Sequence, residues 1–414
     1  MPKLLIIGSV WPEPRSSAAG GNMMGFIQLF RQQGWSVSFV SAAALSSHMA
    51  DLAELDVVLQ QIELNSDSFD EFVAELNPDA VLFDRFMTEE QYGWRVAQQC
   101  PDALRILDME DLHALRLARQ QAVKQQRPFN VNDLVSEVAF REVAGIYRCD
   151  LTLVISDYEL QLLTEQLSVP VQLLHHQPFM LDFPADSSVL PSYSDRQHFI
   201  AIGNFRHPPN WDSVLWLKQD IWPLIRKTMP KAELHIYGAY PPPKATQLHN
   251  PKQGFLVKGW VEDAMQVMSE ARVCLAPLRF GAGIKGKLAD AMLCGTPNVT
   301  TAIGVEGMQG DLPWSGEVDE SAEQIAVAAM NLYNDQTRWQ QAQSAGFAIV
   351  QQRFNKAKIA ENLWQKITTC LEQKSSRRLA NFTGQMLQHH QYKSTQYMSQ
   401  WIAEKQKRQQ GEKE

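Results

Sequence analysis

The chain has 414 residues, which is too long for one ordinary hydrophobic core and suits two domains. Its hydrophobic content of 45% and charged content of 20% are typical of a soluble globular protein. A net charge of −8 argues against a nucleic-acid partner. The five cysteines are scattered, with no CxxC pair, so we expect free thiols and no zinc site.

The sequence also bears on localisation. No charged and then apolar leader opens it, and no apolar run reaches the roughly 18 residues that a membrane span needs. We therefore expect a cytoplasmic protein. Contact with the inner face of a membrane stays open because of the basic C-terminal tail described below.

Short apolar runs alternate with helical stretches through the first half of the chain. This alternation is typical of a doubly wound parallel sheet, in which ligand-binding residues gather beyond the carboxyl ends of the strands. A glycine pair, Gly20-Gly21, lies at the start of the first predicted helix, 22–33. The predicted strands of this half are 3–10, 37–41, 56–59, 80–83, 104–107, 151–155 and 171–174.

Three polar stretches follow strand ends in this half. Residues 84–85, Asp-Arg, follow the fourth strand, and residues 108–116, DMEDLHALR, follow the fifth. The second stretch is rich in acids for a plain connection, although a solvated helix start with Asp111 as its N-cap is an alternative. Residues 156–159, SDYE, have the spacing of a capping box, so we interpret them as structural.

A Pro, Ser and Asp-rich stretch at 181–197 predicts an interdomain linker. A second alternating series follows it, which predicts a second parallel sheet. Its predicted strands are 198–202, 232–237, 255–257, 273–276 and 298–301, and its predicted helices are 211–219, 221–229, 261–270, 287–293, 322–333, 337–350 and 359–373.

The most informative stretch is the loop between the strand at 273–276 and the helix at 287–293. A glycine-rich loop before a helix exposes backbone N–H groups where the helix dipole favours an anion. Lys285 and Lys287 add two cations, so the loop is suited to a diphosphate. Asp290, one turn further on, is suited to a pair of ribose hydroxyl groups. An ordinary solvated loop is the alternative. The chain has no P-loop, and no GxGxxG motif follows the first strand.

Residues 277–297, PLRFGAGIKGKLADAMLCGTP, resemble the donor-binding segment of glycosyltransferase family 4, the glycosyl transferases group 1. Residues 202–238, IGNFRHPPNWDSVLWLKQDIWPLIRKTMPKAELHIYG, resemble the start of the family's C-terminal domain. The family usually has two glutamates eight positions apart in the donor segment. Here Ala282 stands in place of the first and Asp290 in place of the second.

The resemblance implies the GT-B fold, which is two facing Rossmann-like α/β domains, here with a C-terminal helical extension. It implies a retaining, metal-independent hexosyltransferase that uses a nucleoside diphosphate sugar as co-substrate and needs no cofactor. The acceptor would be a glycan or a lipid-linked sugar, typically in bacterial surface polysaccharide synthesis. The implied site residues are His113 and Lys285 for catalysis, and Gly20, Gly21, Arg206, Gly281, Gly283, Ile284, Lys287, Asp290 and Glu306 for donor binding.

The predicted plan is an acceptor-side domain at 1–180, the linker at 181–197, a nucleotide-sugar domain at 198–373 and a tail at 374–414. The tail has eight Lys or Arg against three Asp or Glu, with apolar residues at near-helical spacing. Three states of the tail stay open: packing on the rest of the chain, disorder, and contact with an anionic membrane surface. Two other functions remain open: a nucleotide-sugar 2-epimerase-like enzyme and a non-catalytic nucleotide-sugar-binding protein.

Overall fold

The computed structural model describes residues 1–183 and 190–411, so 184–189 of the predicted linker lie outside the described residues. Among the described residues, the first half of the chain forms one parallel sheet of seven strands. The strands are β1 Lys3–Gly8, β2 Ser36–Ser41, β3 Val57–Gln61, β4 Ala80–Asp84, β5 Leu104–Asp108, β6 Leu151–Val154 and β7 Leu174–His176. Except on the edge strand β3, where Val58 and Leu59 are exposed, the apolar residues of these strands are buried on both faces, as a parallel sheet covered by helices requires.

The strand order of this first sheet is β3-β2-β1-β4-β5-β6-β7. Its helices lie mostly between consecutive strands. Consecutive strands are parallel neighbours except β3 and β4, which β2 and β1 separate in the sheet. The predicted strand at 171–174 is wrong in its bounds, because a 3-10 turn covers Val171–Leu173 and the strand itself begins at Leu174. The helices are α1 Ala18–Gln32, α2 Ser68–Leu76, α3 Arg85–Gln99, α4 His113–Lys124, α5 Glu137–Arg148 and α6 Asp157–Gln161.

The second half forms a parallel sheet of six strands among the described residues, in the order β10-β9-β8-β11-β12-β13. The last of them was not predicted, since Gly316–Val318 is too short to show an apolar pattern. The strands are β8 Gln197–Ile202, β9 Leu234–Tyr237, β10 Phe255–Gly259, β11 Ala271–Ala276, β12 Asn298–Thr300 and β13 Gly316–Val318.

Helices cover this second sheet and continue beyond it to the end of the described chain. The predicted α/β fold class with a C-terminal helical extension is therefore confirmed. The helices are α7 Pro208–Trp216, α8 Trp222–Thr228, α9 Pro243–Thr246, α10 Ala264–Glu270, α11 Gly286–Leu293, α12 Ala302–Val305, α13 Ala322–Asn334, α14 Gln336–Arg353, α15 Lys356–Glu372, α16 Lys374–Ala380 and α17 Phe382–Gly411.

The chain returns to the first sheet after the second sheet is complete. Helix α15 buries Leu363 and Ile367 in the same apolar cluster as Leu4 of β1. Trp364 packs edge-on against Phe30, with ring centroids 5.5 Å apart. The first sheet therefore depends on residues from the far end of the chain for part of its core.

The basic tail is helical in the structure. Arg378 of α16 forms an ion pair with the buried Asp150, with 2.7 Å between nitrogen and oxygen. The start of α17 packs on α5, where Gly384 approaches the carbonyl oxygen of Tyr147. Trp401, near the end of α17, stays exposed. Within the described residues, no helix combines the length and the apolar character needed to cross a bilayer.

Candidate functional site

The loop between β11 and α11 is buried against the first half of the chain. Gly283 has a φ of 63°, and a side chain there would also meet Asp111 at 3.0 Å, so glycine is required. At the start of α11, a side chain on Gly286 would overlap Ala18 of α1. The glycines therefore let the two halves of the chain approach each other at the point where a phosphate site was predicted.

Both predicted loop lysines are close to the start of α11. Lys285, which is 8% exposed, donates a hydrogen bond from Nζ to the carbonyl oxygen of Gly283. The Nζ atom of Lys287 lies 2.5 Å from Oδ1 of Asn210 on α7. Burial lowers the pKa of each lysine to about 8, and in Lys285 the charges of Glu306 and Glu159 oppose that shift. Two cations are thus held in a confined space with oxygen acceptors from the protein itself.

The amide of Gly283 already has a partner from the other half of the chain. Its N–H donates to Oε1 of Glu159 at 2.7 Å, and the N–H of Leu112 donates to the same oxygen at 3.0 Å. Burial raises the pKa of Glu159 to about 8. The prediction that Ser156 and Glu159 form a capping box is wrong, because Glu159 points away from its own helix start and links the two loops.

Glu306, a predicted donor contact, also bridges the two halves. The guanidinium of Arg119 on α4 binds both carboxylate oxygens of Glu306, each at 2.7 Å, and donates to the carbonyl oxygen of Gly281 at 3.0 Å. A bidentate pair of this kind is among the stronger charged contacts in proteins. Arg119 was missed by the sequence analysis, since one arginine on an amphipathic helix gives no local signal.

His113 is the first residue of α4, at the carboxyl end of the first sheet. Its backbone N–H donates to Oε1 of the buried Glu142 at 2.8 Å, and the N–H of Ala114 donates to Oε2 at 2.7 Å. The ring Nδ1 lies 3.1 Å from the carbonyl oxygen of Asp111. Asp111 is not the helix N-cap, because its carboxylate instead accepts a hydrogen bond from Arg116 at 2.5 Å.

Asp290 lies on α11, one turn from Lys287, and is half-buried instead of fully exposed. Burial raises the pKa of its carboxyl to about 7. Its charge helps to raise the pKa of the thiols of Cys274 and Cys294, so the carboxyl lies beside β11 and the end of α11. Among the described residues, this carboxylate has no hydrogen bond or ion pair.

The predicted glycine pair lies within a helix and not in the loop before it. Helix α1 begins at Ala18, four residues earlier than predicted, because Ser17 caps it by accepting from the N–H of Gly20 at 3.1 Å. Gly20 is buried against the backbone of Glu13, whereas Gly21 is open on its outer face. The pair thus lies in the first turn of the helix that contacts Gly286.

Arg206 is exposed beyond the carboxyl end of β8. Its guanidinium stacks on the ring of Tyr240 at 3.7 Å from the centroid. The hydroxyl of Tyr240 donates to Oε1 of Glu13 in the first half, at 2.8 Å. Arg206 thus stands at the boundary between the halves. Ile284, another predicted contact, is buried in an apolar cluster beneath the loop.

Acidic residues meet at the carboxyl ends of the first sheet. Carboxylate oxygens of Asp84, Asp108 and Glu110 lie within 4.8 Å of one another, and all three residues are buried. They come from the two polar stretches that the sequence singled out, with Asp84 and Asp108 as the last residues of β4 and β5 and Glu110 just after β5. Asn22 of α1, which the sequence analysis missed, donates to Oε1 of Glu110 at 3.3 Å. The oxygen atoms of these side chains could hold a hard cation.

Comparison with known proteins finds a family similarity in the second half of the chain. Residues 196–335 match the family model described as Glycosyl transferases group 1. This part of the chain is therefore similar to the glycosyl transferases group 1. This confirms the resemblance drawn from residues 202–238 and 277–297, both of which lie inside the matched region. No curated protein sequence matches this chain.

Solved structures resemble nearly the whole chain and have the GT-B fold. Sucrose-phosphate synthase from Thermosynechococcus elongatus is 17% identical, with a TM-score of 0.65 over 90% of this chain and 100% of its own. Anabaena HepE in complex with UDP and glucose is 14% identical, with a TM-score of 0.65 over 89% and 100%. TarM from S. aureus is 9% identical, with a TM-score of 0.67 over 88% and 99%. At these identities the likeness establishes the GT-B fold.

Proposed function

We propose that this chain is a retaining glycosyltransferase that moves a hexosyl group from a nucleoside diphosphate sugar to an acceptor hydroxyl. The observation that carries the proposal is a pair of lysines at the start of α11, the buried Lys285 and the half-buried Lys287. Both lysines lie beside the glycine loop that contacts the first half of the chain. A GT-B enzyme needs to bind a diphosphate at this place. The acceptor proposed is a glycan or a lipid-linked sugar of bacterial surface polysaccharide synthesis.

Breaking the bond between the anomeric carbon and the diphosphate leaves negative charge on the departing oxygen. We propose that the diphosphate replaces the Gly283 carbonyl as acceptor for the Lys285 ammonium, and that Lys287 and the α11 amides share the charge. Preorganised cations and amides of this kind supply much of the rate enhancement in enzymes. No metal is proposed in this step.

Retention requires that the acceptor hydroxyl form its bond on the face of the sugar from which the diphosphate leaves. No protein nucleophile is proposed, so the diphosphate oxygen takes the proton of the acceptor hydroxyl as the new bond forms. His113 is proposed to face the donor sugar, since it lies at the carboxyl end of the first sheet beside Asp111. Positioning of the two substrates then accounts for much of the catalysis.

A panel of UDP, GDP and ADP sugars tests the donor class by thermal shift and by product analysis. UDP sugars come first, because HepE has been crystallised with UDP and with UDP-glucose. A ligand at 100 times its dissociation constant raises the free energy of unfolding by about 2.7 kcal/mol. Transfer to an acceptor supports the proposal. Release of free sugar without an acceptor points to epimerase-like chemistry, and binding without turnover points to a non-catalytic protein.

The substitution Lys285→Met tests the leaving-group role. We expect turnover to fall by about two orders of magnitude or more, because a preorganised charge at the leaving group is lost. Lys227→Met is the matched control, since this lysine is exposed on α8. An unchanged rate in Lys285→Met would remove this residue from the mechanism.

A further inference from the structure

The C-terminal helix α16 is attached to the first sheet at the edge formed by the amino ends of its strands. Arg105 is the second residue of β5, and Asp150 directly precedes β6. Asp111, which lies against Gly283 of the loop before α11, follows the carboxyl end of β5 instead. A site at the amino ends is therefore separate from the place proposed for the donor diphosphate.

Helix α16 makes this attachment through positively charged side chains. Lys374 donates a hydrogen bond to the carbonyl oxygen of Asp102, and Arg377 donates to that of Asp150 at 3.1 Å. Arg378 donates to two carbonyl oxygens within residues 101–103, at 2.6 and 2.7 Å. Carbonyl oxygens satisfy these donors but carry no full negative charge, so the contacts concentrate positive charge at this edge.

The carboxylate of Asp150 balances part of that charge, and both of its oxygens are in use. Arg378 donates from Nε to Oδ1 and from Nη2 to Oδ2, each at 2.7 Å. The backbone N–H of Arg105 donates to Oδ2 as well, at 2.9 Å. Asp150 is thus paired with Arg378, in the bidentate geometry of a strong ion pair.

The side chain of Arg105 has no comparable partner. It is 7% exposed, and its Nε lies 3.8 Å from Oδ2 of Asp150, which is too long for a hydrogen bond. Within residues 1–183 and 190–411, the guanidinium of Arg105 donates no hydrogen bond. Buried polar groups nearly always have a partner, and a buried cation without one is costly. Its donors therefore call for an acceptor that carries negative charge.

Arg105 lines a cavity of about 400 Å³ between the first half of the chain and the C-terminal tail. Arg148 and Arg378 line it too, but Arg148 is paired with the buried Glu89, at 2.9 Å, and Arg378 with Asp150. The guanidinium of Arg105 is thus the charge left unbalanced. The volume falls within the range of small-molecule sites, about 300–1,000 Å³. A small anion would find both space and a buried cation here.

We propose that this cavity binds a small phosphate dianion, either free phosphate or a phosphate monoester, with the guanidinium of Arg105 as its main contact. A guanidinium offers parallel N–H donors that match two phosphate oxygens. The bound phosphate balances the charge between the first sheet and α16, so it favours the docked position of the tail. The proposal does not depend on the proposed transferase function.

Calorimetry with inorganic phosphate and with glycerol 3-phosphate tests the site on the full chain, at an ionic strength held constant with sodium chloride. We expect Arg105→Gln to weaken the binding of at least one of these ligands at least tenfold. Arg408→Gln is the matched control, because this arginine of α17 is exposed, and it should stay within twofold of the wild type. No saturable binding of either ligand, or equal affinity in Arg105→Gln and the wild type, overturns the site.

A further variant separates this cavity from the loop before α11, which is the other place where phosphate could bind. We expect Lys285→Met to keep the binding that depends on Arg105 within twofold. Binding that is kept in Arg105→Gln and lost in Lys285→Met would place the phosphate at the loop and overturn the cavity site.

A second pair of substitutions covers the case in which Arg105→Gln fails to fold. Ser375 lines the cavity from the surface of α16, so Ser375→Glu adds a carboxylate that competes with the ligand while Arg105 stays in place. We expect phosphate affinity to fall at least tenfold. Ser376→Glu adds the same charge at the next exposed position, where the native hydroxyl donates to the carbonyl oxygen of Gln373, and should stay within threefold. Equal affinity in the two variants contradicts the site.

Limited trypsin digestion tests the link to the tail. Cleavage after Arg377 and Arg378 requires α16 to leave the sheet, whereas Arg408 is exposed and serves as an internal control. We expect saturating phosphate to slow cleavage after Arg377 and Arg378 at least threefold in the wild type and to leave it unchanged in Arg105→Gln. Cleavage at these two sites that is insensitive to phosphate in the wild type would show that the ligand does not hold the tail.

Discussion

At the scale of single residues, the two loop lysines make donor binding depend on pH. Burial lowers the pKa of Lys285 and of Lys287 to about 8, so both lose their charge as pH rises through that value. Nucleoside diphosphate affinity should be level from pH 7 to 8 and then fall by up to about tenfold per pH unit for each lysine that must carry a proton. Calorimetry between pH 7 and 9.5 measures this.

The matched variants sharpen this prediction. In Lys287→Met the fall above pH 8 should become shallower by one proton, whereas in Lys227→Met it should match the wild type. A fall of the same steepness in all three proteins would show that another group controls the pH dependence.

Asp290 gives a second prediction at this scale. If its unpaired carboxylate holds the ribose hydroxyl groups, Asp290→Asn should weaken nucleoside diphosphate binding by about tenfold, the value of one charge-assisted hydrogen bond. Because burial raises the pKa of this group to about 7, losing its charge should not lower the free energy of unfolding. Pyrophosphate, which has no ribose, is the control ligand, and an equal loss of its affinity would contradict the ribose contact.

At the scale of elements, Glu159 joins the loop before α4 to the loop before α11. Glu159→Ala leaves the N–H groups of Leu112 and Gly283 buried without an acceptor, so we expect a loss of about 2–4 kcal/mol in the free energy of unfolding. With its pKa raised to about 8, Glu159 carries a proton near neutrality, and glutamine keeps its shape and charge state. Glu159→Gln should therefore remain close to the wild type in chemical denaturation at pH 7.

A glutamate nearby serves as the control for this link. Glu165 is exposed a few residues later, and Glu165→Ala should change stability by about 0.5 kcal/mol or less. If Glu159→Ala were as stable as Glu165→Ala, the contact between the loops would contribute nothing to the free energy of unfolding.

At the scale of the whole molecule, the first sheet relies on a helix from the far end of the chain. Leu363 of α15 is fully buried in the cluster that contains Leu4 and Phe30. We expect Leu363→Ala to lower the free energy of unfolding by about 2–5 kcal/mol, through lost burial and a residual cavity. Urea denaturation followed by tryptophan fluorescence measures this, because Trp364 lies in the same contact.

Leu379→Ala is the same change at an exposed position of α16, where the side chain is 78% exposed. It should alter stability by about 0.5 kcal/mol or less. Similar losses in both variants would show that α15 does not support the first sheet.

Much of the architecture could be predicted because its signals are local. Strands such as β1 and β11 contain continuous apolar runs, and the loop before α11 has glycines and lysines within a few residues of a helix start. Boundaries were less certain, as at α1, where the side-chain cap by Ser17 moved the helix start ahead of Gly20. A short element such as β13 has too few residues to show a period.

The sequence by itself determined the alternation of strands and helices, the resemblance to the glycosyl transferases group 1 and the concentration of cations near α11. Only the tertiary structure decided which groups those residues meet. Glu159 reaches Gly283 across 124 positions and Arg119 reaches Glu306 across 187, so neither pairing leaves a trace in local spacing. A buried polar group takes the partner that folding brings within hydrogen-bond distance, and that partner is set by topology.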